Sequence, residues 1–296
     1  MPKKVRLIGI PLDLGQVHRG VNMGPSAVRY AGLAKRLRHI GYTVNDIGNI
    51  NVPIREKLLE GVYENVLPAL QEASLWIYNA AKQAVEDECI PIFMGGDHSI
   101  AIGTIGGITS DTRCGVIWID AHGDFNTPAT SKSGNIHGMP LSILLGDGHE
   151  ELVNIGRPGA KLRPEDVVLI GLRDLDKEER NLIKQSGVHY FTMRDIDEKG
   201  ISRVMQEVLK CLDHLDKIHI SFDVDSLDPI EAPGVGTPVK GGLSYREAHL
   251  AMEIIADSGK VCSMDIVEIN PMLDMYNNTD DMAVELTASL FGKSII

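Results

Sequence analysis

No apolar run in this sequence approaches the roughly 20 residues needed to span a membrane, and positive charge is in short supply. The 29 lysines and arginines stand against 41 aspartates and glutamates, a formal net charge of -12. Nucleic acid and anionic membranes both require a basic surface, so neither is an expected partner, and a small cationic ligand suits the balance better. Cysteine is sparse: Cys89, Cys114, Cys211 and Cys262 are scattered without C-x-x-C or zinc-ribbon spacing. That argues against a disulfide framework and against a sulfur metal site, and a reducing cytoplasm is the simplest home. Lys3 and Lys4 precede an apolar stretch that Arg6 and Pro11 interrupt before signal-peptide length, so it reads as a first strand. Linkers, low-complexity tracts and internal repeats are also lacking. One domain over residues 1–296 is expected, because α/β folds often carry this length around one large sheet.

The 43% hydrophobic and 24% charged residues are those of a globular protein able to bury a sizeable core. Apolar, β-rich runs recur at Val5–Ile10, Tyr42–Ile47, Ile90–Met94, Gly115–Ile119, Val167–Ile170, Val188–Phe191, Ile218–Phe222 and Val261–Val267. Most are continuously apolar, as in strands buried on both faces. Helical spacing marks Pro25–His39, Glu72–Asp87, Ile196–Leu215 and Tyr245–Ser258 between them. This alternation predicts an α/β fold with a parallel sheet. Periodicity weakens between Asn51 and Leu70, where loop and helix stay open.

In an open parallel sheet, ligands bind at the carboxyl ends of the strands. Here those ends are rich in metal-ligand side chains: Gly95-Gly96-Asp97-His98-Ser99, Asp120-Ala121-His122-Gly123-Asp124, and Asp223-Val224-Asp225-Ser226-Leu227-Asp228-Pro229. Asp120, His122 and Asp124, spaced i, i+2, i+4, would point to one side of an extended backbone. A single aspartate after a strand is usually a turn or cap residue, but a D-x-H-x-D with a D-x-D at two strand ends points to metal. Oxygen and imidazole without thiolate suit Mn²⁺, with iron, cobalt or nickel as alternatives. Asp120, Asp124, Asp223 and Asp225 carry enough charge for two divalent cations if Asp120 and Asp223 bridge them. Such a pair, about 3.5–4 Å apart, lowers the pKa of a shared water and presents hydroxide at neutral pH.

Asp97 and Asp228 read better as caps or supporting partners than as ligands, and Gly95 and Gly96 allow close backbone approach. Glu268, at the end of the last run, alternates onto the face of Met264 and Ile266, where a charge needs a partner such as a cation. Asp174 and Asp176 form another acidic strand end that could cap a helix and line the same mouth. The polar loop Phe125–Gly138 suits substrate orientation, and its closing His137 could carry protons. His18, His39, His149, His189, His214, His219 and His249 receive no assignment.

Taken together, Gly95–Ser99, Asp120–Asn126, Ser133–Pro140, Ser221–Pro229, Gly236–Gly242 and Glu268–Pro271 resemble the motifs of the ureohydrolases, and within them the arginases. The resemblance runs from Ile8-Gly9 through Gly20–Pro25 almost to the end of the chain. It implies a three-layer α/β/α fold with a central eight-stranded parallel sheet. It also implies two Mn²⁺, one held by His98, Asp120, Asp124 and Asp223, the other by His122, Asp120, Asp223 and Asp225. By the same resemblance Asn126 and Ser133 hold the α-carboxylate of L-arginine, Asp176 and Glu179 read its α-amino group, Thr237 and Glu268 line the guanidinium end, and His137 shuttles protons. Glu268 would orient the guanidinium for hydroxide attack near Asp225, giving urea and L-ornithine. Agmatinases have no α-carboxylate to hold, so the Asn126–Gly138 loop favours arginine. Phe125 stands where arginases carry a smaller aliphatic residue, which bears on pocket width. The ending Ser294-Ile295-Ile296, without a longer tail, resembles bacterial members, commonly hexameric; a homo-oligomer, hexamer or trimer, is the expectation.

Overall fold

A computed structural model describes residues 3–62 and 64–293; the ending Ser294–Ile296 lies outside them. The eight apolar runs become strands β1 (Lys4–Gly9), β2 (Thr43–Asn49), β3 (Ile90–Met94), β4 (Gly115–Ile119), β5 (Val167–Leu172), β6 (His189–Thr192), β7 (Ile218–Asp223) and β8 (Val261–Val267). They pair in the order β2-β1-β3-β8-β7-β4-β5-β6, every pair parallel. Successive residues of a strand face opposite ways, and the burial follows. Ile117, Ile119, Ile218, Ile220, Phe222, Met264 and Ile266 join one cluster under helices that include Ile201–Cys211, Tyr245–Asp257 and Asn278–Leu290. On the other face, Phe93 packs with helix Val66–Glu86, and Val116, Trp118 and Leu169 pack with Ala101, Leu141 and Ile183. Helices thus cover both faces of one sheet, and no helix among the described residues is long and apolar enough to cross a membrane.

Local chemistry explains where the helices depart from the periodicity. The Pro25–His39 pattern divides into Gly24–Tyr30 and Leu33–His39, because Gly32 at φ +88° leaves the helical region. Ile196–Leu215 likewise divides at Gly200 into Met193–Lys199 and Ile201–Cys211. Val66–Glu86 starts six residues before the expected Glu72, since Asn65 accepts from Leu67 N (3.0 Å) as a side-chain cap. The open segment contains the short helix Arg55–Leu59. β3, β8, β7 and β4 are consecutive in the middle of the sheet, so their carboxyl ends bring the three ligand-rich motifs and Glu268 to one edge.

Candidate metal centre

His98 enters from the turn after β3 and is 1% exposed. Its Nδ1 lies 3.2 Å from Asp120 Oδ2, 3.0 Å from Asp124 Oδ2 and 3.2 Å from Asp223 Oδ2. Its other nitrogen, Nε2, is 2.8 Å from Ser221 Oγ on β7. His122 Nδ1 lies 3.1 Å from Asp225 Oδ2 and 3.4 Å from Asp120 Oδ1. Asp120 therefore offers one oxygen to each of two donor groups, His98 with Asp120 and Asp223, and Asp120 with His122 and Asp225; within each group the donor atoms lie within 4.8 Å of one another. The expected extended row of Asp120, His122 and Asp124 is not one straight strand: β4 ends at Ile119, and Asp124 stands at φ +49°. His122 N donates to Asp120 Oδ1 (2.7 Å), and Arg173 N and Asp174 N donate to Ala121 O (2.9 and 3.1 Å). The chain bends at these bonds, and Asp120 and Asp124 still converge on His98 while Asp120 also reaches His122.

Four carboxylates, Asp120, Asp124, Asp223 and Asp225, share this cluster with two imidazoles. Burial alone would lower the imidazoles of His98 and His122, yet the surrounding carboxylates hold both well above their ordinary range. Burial, then Asp225 and Asp120, pushes Asp223 well up, and burial with Asp120 pushes Asp124 up to about 6. His98 Nδ1 and Asp124 Oδ2 are buried without a hydrogen-bond partner. When Nε2 donates to Ser221, Nδ1 points a lone pair at three carboxylates; when Nδ1 is protonated, its one N–H can satisfy only one of them. A cation among these atoms relieves both conditions, so the donor set fits a metal of the harder, oxygen-preferring kind. Asp97 and Asp228 are caps: Asp97 accepts from Gly15 N (2.7 Å), Ser99 N (3.0 Å) and the Ser99 hydroxyl, and Asp228 from Ile230 N, Gly241 N and Gly242 N. Gly96 packs so tightly on Leu12 that an added Cβ would lie 1.7 Å from its carbonyl oxygen.

A cavity of about 240 Å³ opens beside the cluster, lined by His122, Asp124, Asp223 and Asp225 together with Asn126, His137, Asp174, Asp176, Glu179 and Thr237. Thr237 Oγ1 donates to Asp225 Oδ2 (3.0 Å), and Asn126 Oδ1 accepts from Thr130 Oγ1 (2.9 Å). Asp176 caps helix Lys177–Ser186 and pairs with Lys132 at the rim. Glu179 accepts from Phe125 N (3.0 Å) and Asp176 N (3.3 Å), and burial pushes it up to about 7. Ser133 is exposed on the loop, outside the lining, with Oγ accepting from Asn135 N (3.2 Å). Glu268 also lies outside the lining, 1% exposed behind His137, with Oε1 3.0 Å from His137 Nδ1 and 2.9 Å from His98 N, and Oε2 2.6 Å from Gln16 Nε2. Burial would raise Glu268, but His137 and these hydrogen bonds hold it low; burial would lower His137, but Glu268 holds it up at about 9. Phe125 faces the other way, 6% exposed among Ala101, Ile105, Trp118, Leu141 and Ile183, so it does not narrow the cavity.

Comparison with known proteins agrees with this arrangement along the whole chain. A family model described as the arginase family matches residues 3–292. Arginase from Bacillus subtilis is 50% identical over 297 residues and arginase from Brevibacillus brevis 48% over 298, each alignment covering 100% of both chains. The solved structure of arginase from Bacillus caldovelox superposes with a TM-score of 0.95 at 48% identity, again over 100% of both chains. The chain belongs to the arginase family. It is an enzyme, a hydrolase of the arginase type with the all-parallel eight-stranded sheet of the Bacillus arginases.

Two residues of this arginase-family centre receive no role from the sequence, although Ser221 opens one of its motifs. Trp118 stacks on His98 with ring centroids 4.1 Å apart and planes 14° from parallel, and its Nε1 donates to Asp120 Oδ2 (3.0 Å). Ser221, which pairs in register with Trp118, holds the far side of the same imidazole. A signal was available: each stands two residues before a metal-binding candidate, Asp120 or Asp223, and therefore on the same face of its strand. Supporting groups that orient a ligating histidine are a regular part of metal sites.

Proposed function

We propose that the chain is a binuclear manganese arginase, a single catalytic domain over residues 1–296 that hydrolyses L-arginine to L-ornithine and urea. The observation that carries this reading is the buried His98 Nδ1, which has no hydrogen-bond partner and stands within 3.2 Å of oxygens from three carboxylates. His98, Asp120, Asp124 and Asp223 would hold one Mn²⁺, and His122, Asp120, Asp223 and Asp225 the other; the four carboxylates balance the charge of two divalent ions. Bound there, the pair supplies Lewis acidity and lowers the pKa of water so that hydroxide is available at neutral pH. The cytoplasm and a homo-oligomer, trimer or hexamer, complete the reading.

The chain's own residues bind, aim and move protons. Asn126 commits its amide oxygen to Thr130, which leaves its N–H groups to donate to the substrate α-carboxylate, with Ser133 at the mouth. Asp176 and Glu179, on the same cavity wall, receive the α-amino group. Thr237 lines the guanidinium end, Glu268 stands behind His137 as the carboxylate that would receive it, and Asp225, steadied by Thr237, accepts from its nitrogens as the central carbon becomes tetrahedral. His137 contacts Glu268 through Nδ1, so Nε2 is free to exchange protons with the cavity and restore the proton lost to the departing ornithine amine. The test is a titration of chelator-stripped protein with Mn²⁺ while urea release from L-arginine is followed. Activity is expected to return with two ions bound per chain; full activity at one ion, or with none, would refute the reading.

A further inference from the structure

The Glu268 carboxylate leaves β8 at φ +65° and is aimed by two bonds on one oxygen and one on the other. The bond to Oε2 comes from Gln16, 252 residues earlier in the chain, at 2.6 Å. Gln16 is 2% exposed, and its Oε1 has no hydrogen-bond partner. Glu268 alone therefore decides which way the amide faces: turned over, it would set an oxygen against a carboxylate. The loop that carries Gln16 is tied to the same site at a second point, because Gly15 N donates to Asp97 Oδ2 (2.7 Å) and His137 N donates to Gly15 O (3.0 Å). The loop is braced from outside by Arg55, whose guanidinium donates to the carbonyls of Asp13 and Gln16. Arg55 opens the short helix in the segment whose part the sequence leaves open.

We infer that Gln16, braced by Arg55, is a positioning residue that fixes the Glu268 carboxylate against His137 and toward the guanidinium. The inference rests on the arginase reading above. A donor to a buried carboxylate is a charge-assisted hydrogen bond, stronger than a neutral one, and a carboxylate released from it can swing by enough to lose its aim.

The test is a double-mutant cycle in the Mn²⁺-loaded enzyme. Gln16→Met keeps the length of the side chain and removes the donor, and is expected to lower kcat/KM for L-arginine by about 10- to 100-fold. In a Glu268→Gln background the same change should cost less than about twofold, because the carboxylate charge that Gln16 aims is already gone. Arg55→Met, which touches neither Glu268 nor His137, should show a smaller loss that the Glu268→Gln background also suppresses, and it serves as readout if Gln16→Met folds poorly. Mn²⁺ stoichiometry is expected to match wild type in the folded variants. Full activity in both variants, or equal losses with and without Glu268, would overturn the inference while the arginase reading stands; wild type that releases no urea from L-arginine would overturn both.

Discussion

Replacing Ser221 with alanine deletes one oxygen from a buried position, and the structure says where the cost falls. Ser221 Oγ is the partner of His98 Nε2 at 2.8 Å, and both residues are buried. Loss of the hydroxyl leaves an imidazole N–H without a partner, a penalty of about 1–3 kcal/mol. Metal-free protein can escape much of it. The proton can sit on Nδ1 and meet one of the three carboxylates, leaving Nε2 as a bare lone pair, while the ring stays stacked on Trp118. Metal-bound protein cannot, since Nδ1 is committed to the ion. The penalty therefore falls on metal binding: Mn²⁺ affinity should weaken by about 10- to 100-fold, or about 1.4–2.7 kcal/mol, while the melting temperature of chelated protein changes little. Competition against a fluorescent chelator measures the affinity directly. A dissociation constant within twofold of wild type would refute the argument that Ser221 orients this ligand.

Phe125→Ala should cost about 3–5 kcal/mol of stability, as for other buried aromatics, with KM for L-arginine within about twofold of wild type; denaturant unfolding and steady-state kinetics check the two halves. Asn126→Asp sets a negative charge where the α-carboxylate is proposed to bind, and should raise KM for L-arginine by about 10-fold or more with kcat less affected. The Asp280 carboxyl is pushed up to about 7 by burial and by Asp274. A carboxyl raised in the fold stabilises it below the ordinary value of 3.8 and loses that contribution as pH rises through the folded value. Asp280→Asn should therefore unfold at a higher temperature than wild type at pH 8 and alongside it at pH 4; thermal melts across that range decide.

The strands were legible because buried parallel strands are almost continuously apolar, and that signal does not depend on neighbours. Helix Lys177–Ser186 was not, because only Glu179 and Ile183 are buried along its length and its pattern is mostly polar. The metal-binding candidates could be read since three strand ends each carry a compact motif. Glu268 was visible as a charge in need of a partner, but the partners, Gln16 and His137, stand 252 and 131 residues away, and no local rule reaches that far. Phe125 misled for a related reason: it neighbours Asn126 in the chain, yet its side chain turns into the core while Asn126 lines the cavity.

The central claim, metal-dependent hydrolysis of a guanidino group that carries an α-carboxylate beside it, is tested most directly by urea release from L-arginine and from agmatine side by side, with Mn²⁺-loaded and chelator-stripped protein. Strong release from L-arginine by the loaded protein alone, with little from agmatine, is the predicted result. Release from agmatine alone, or equal release from stripped and loaded protein, would contradict it.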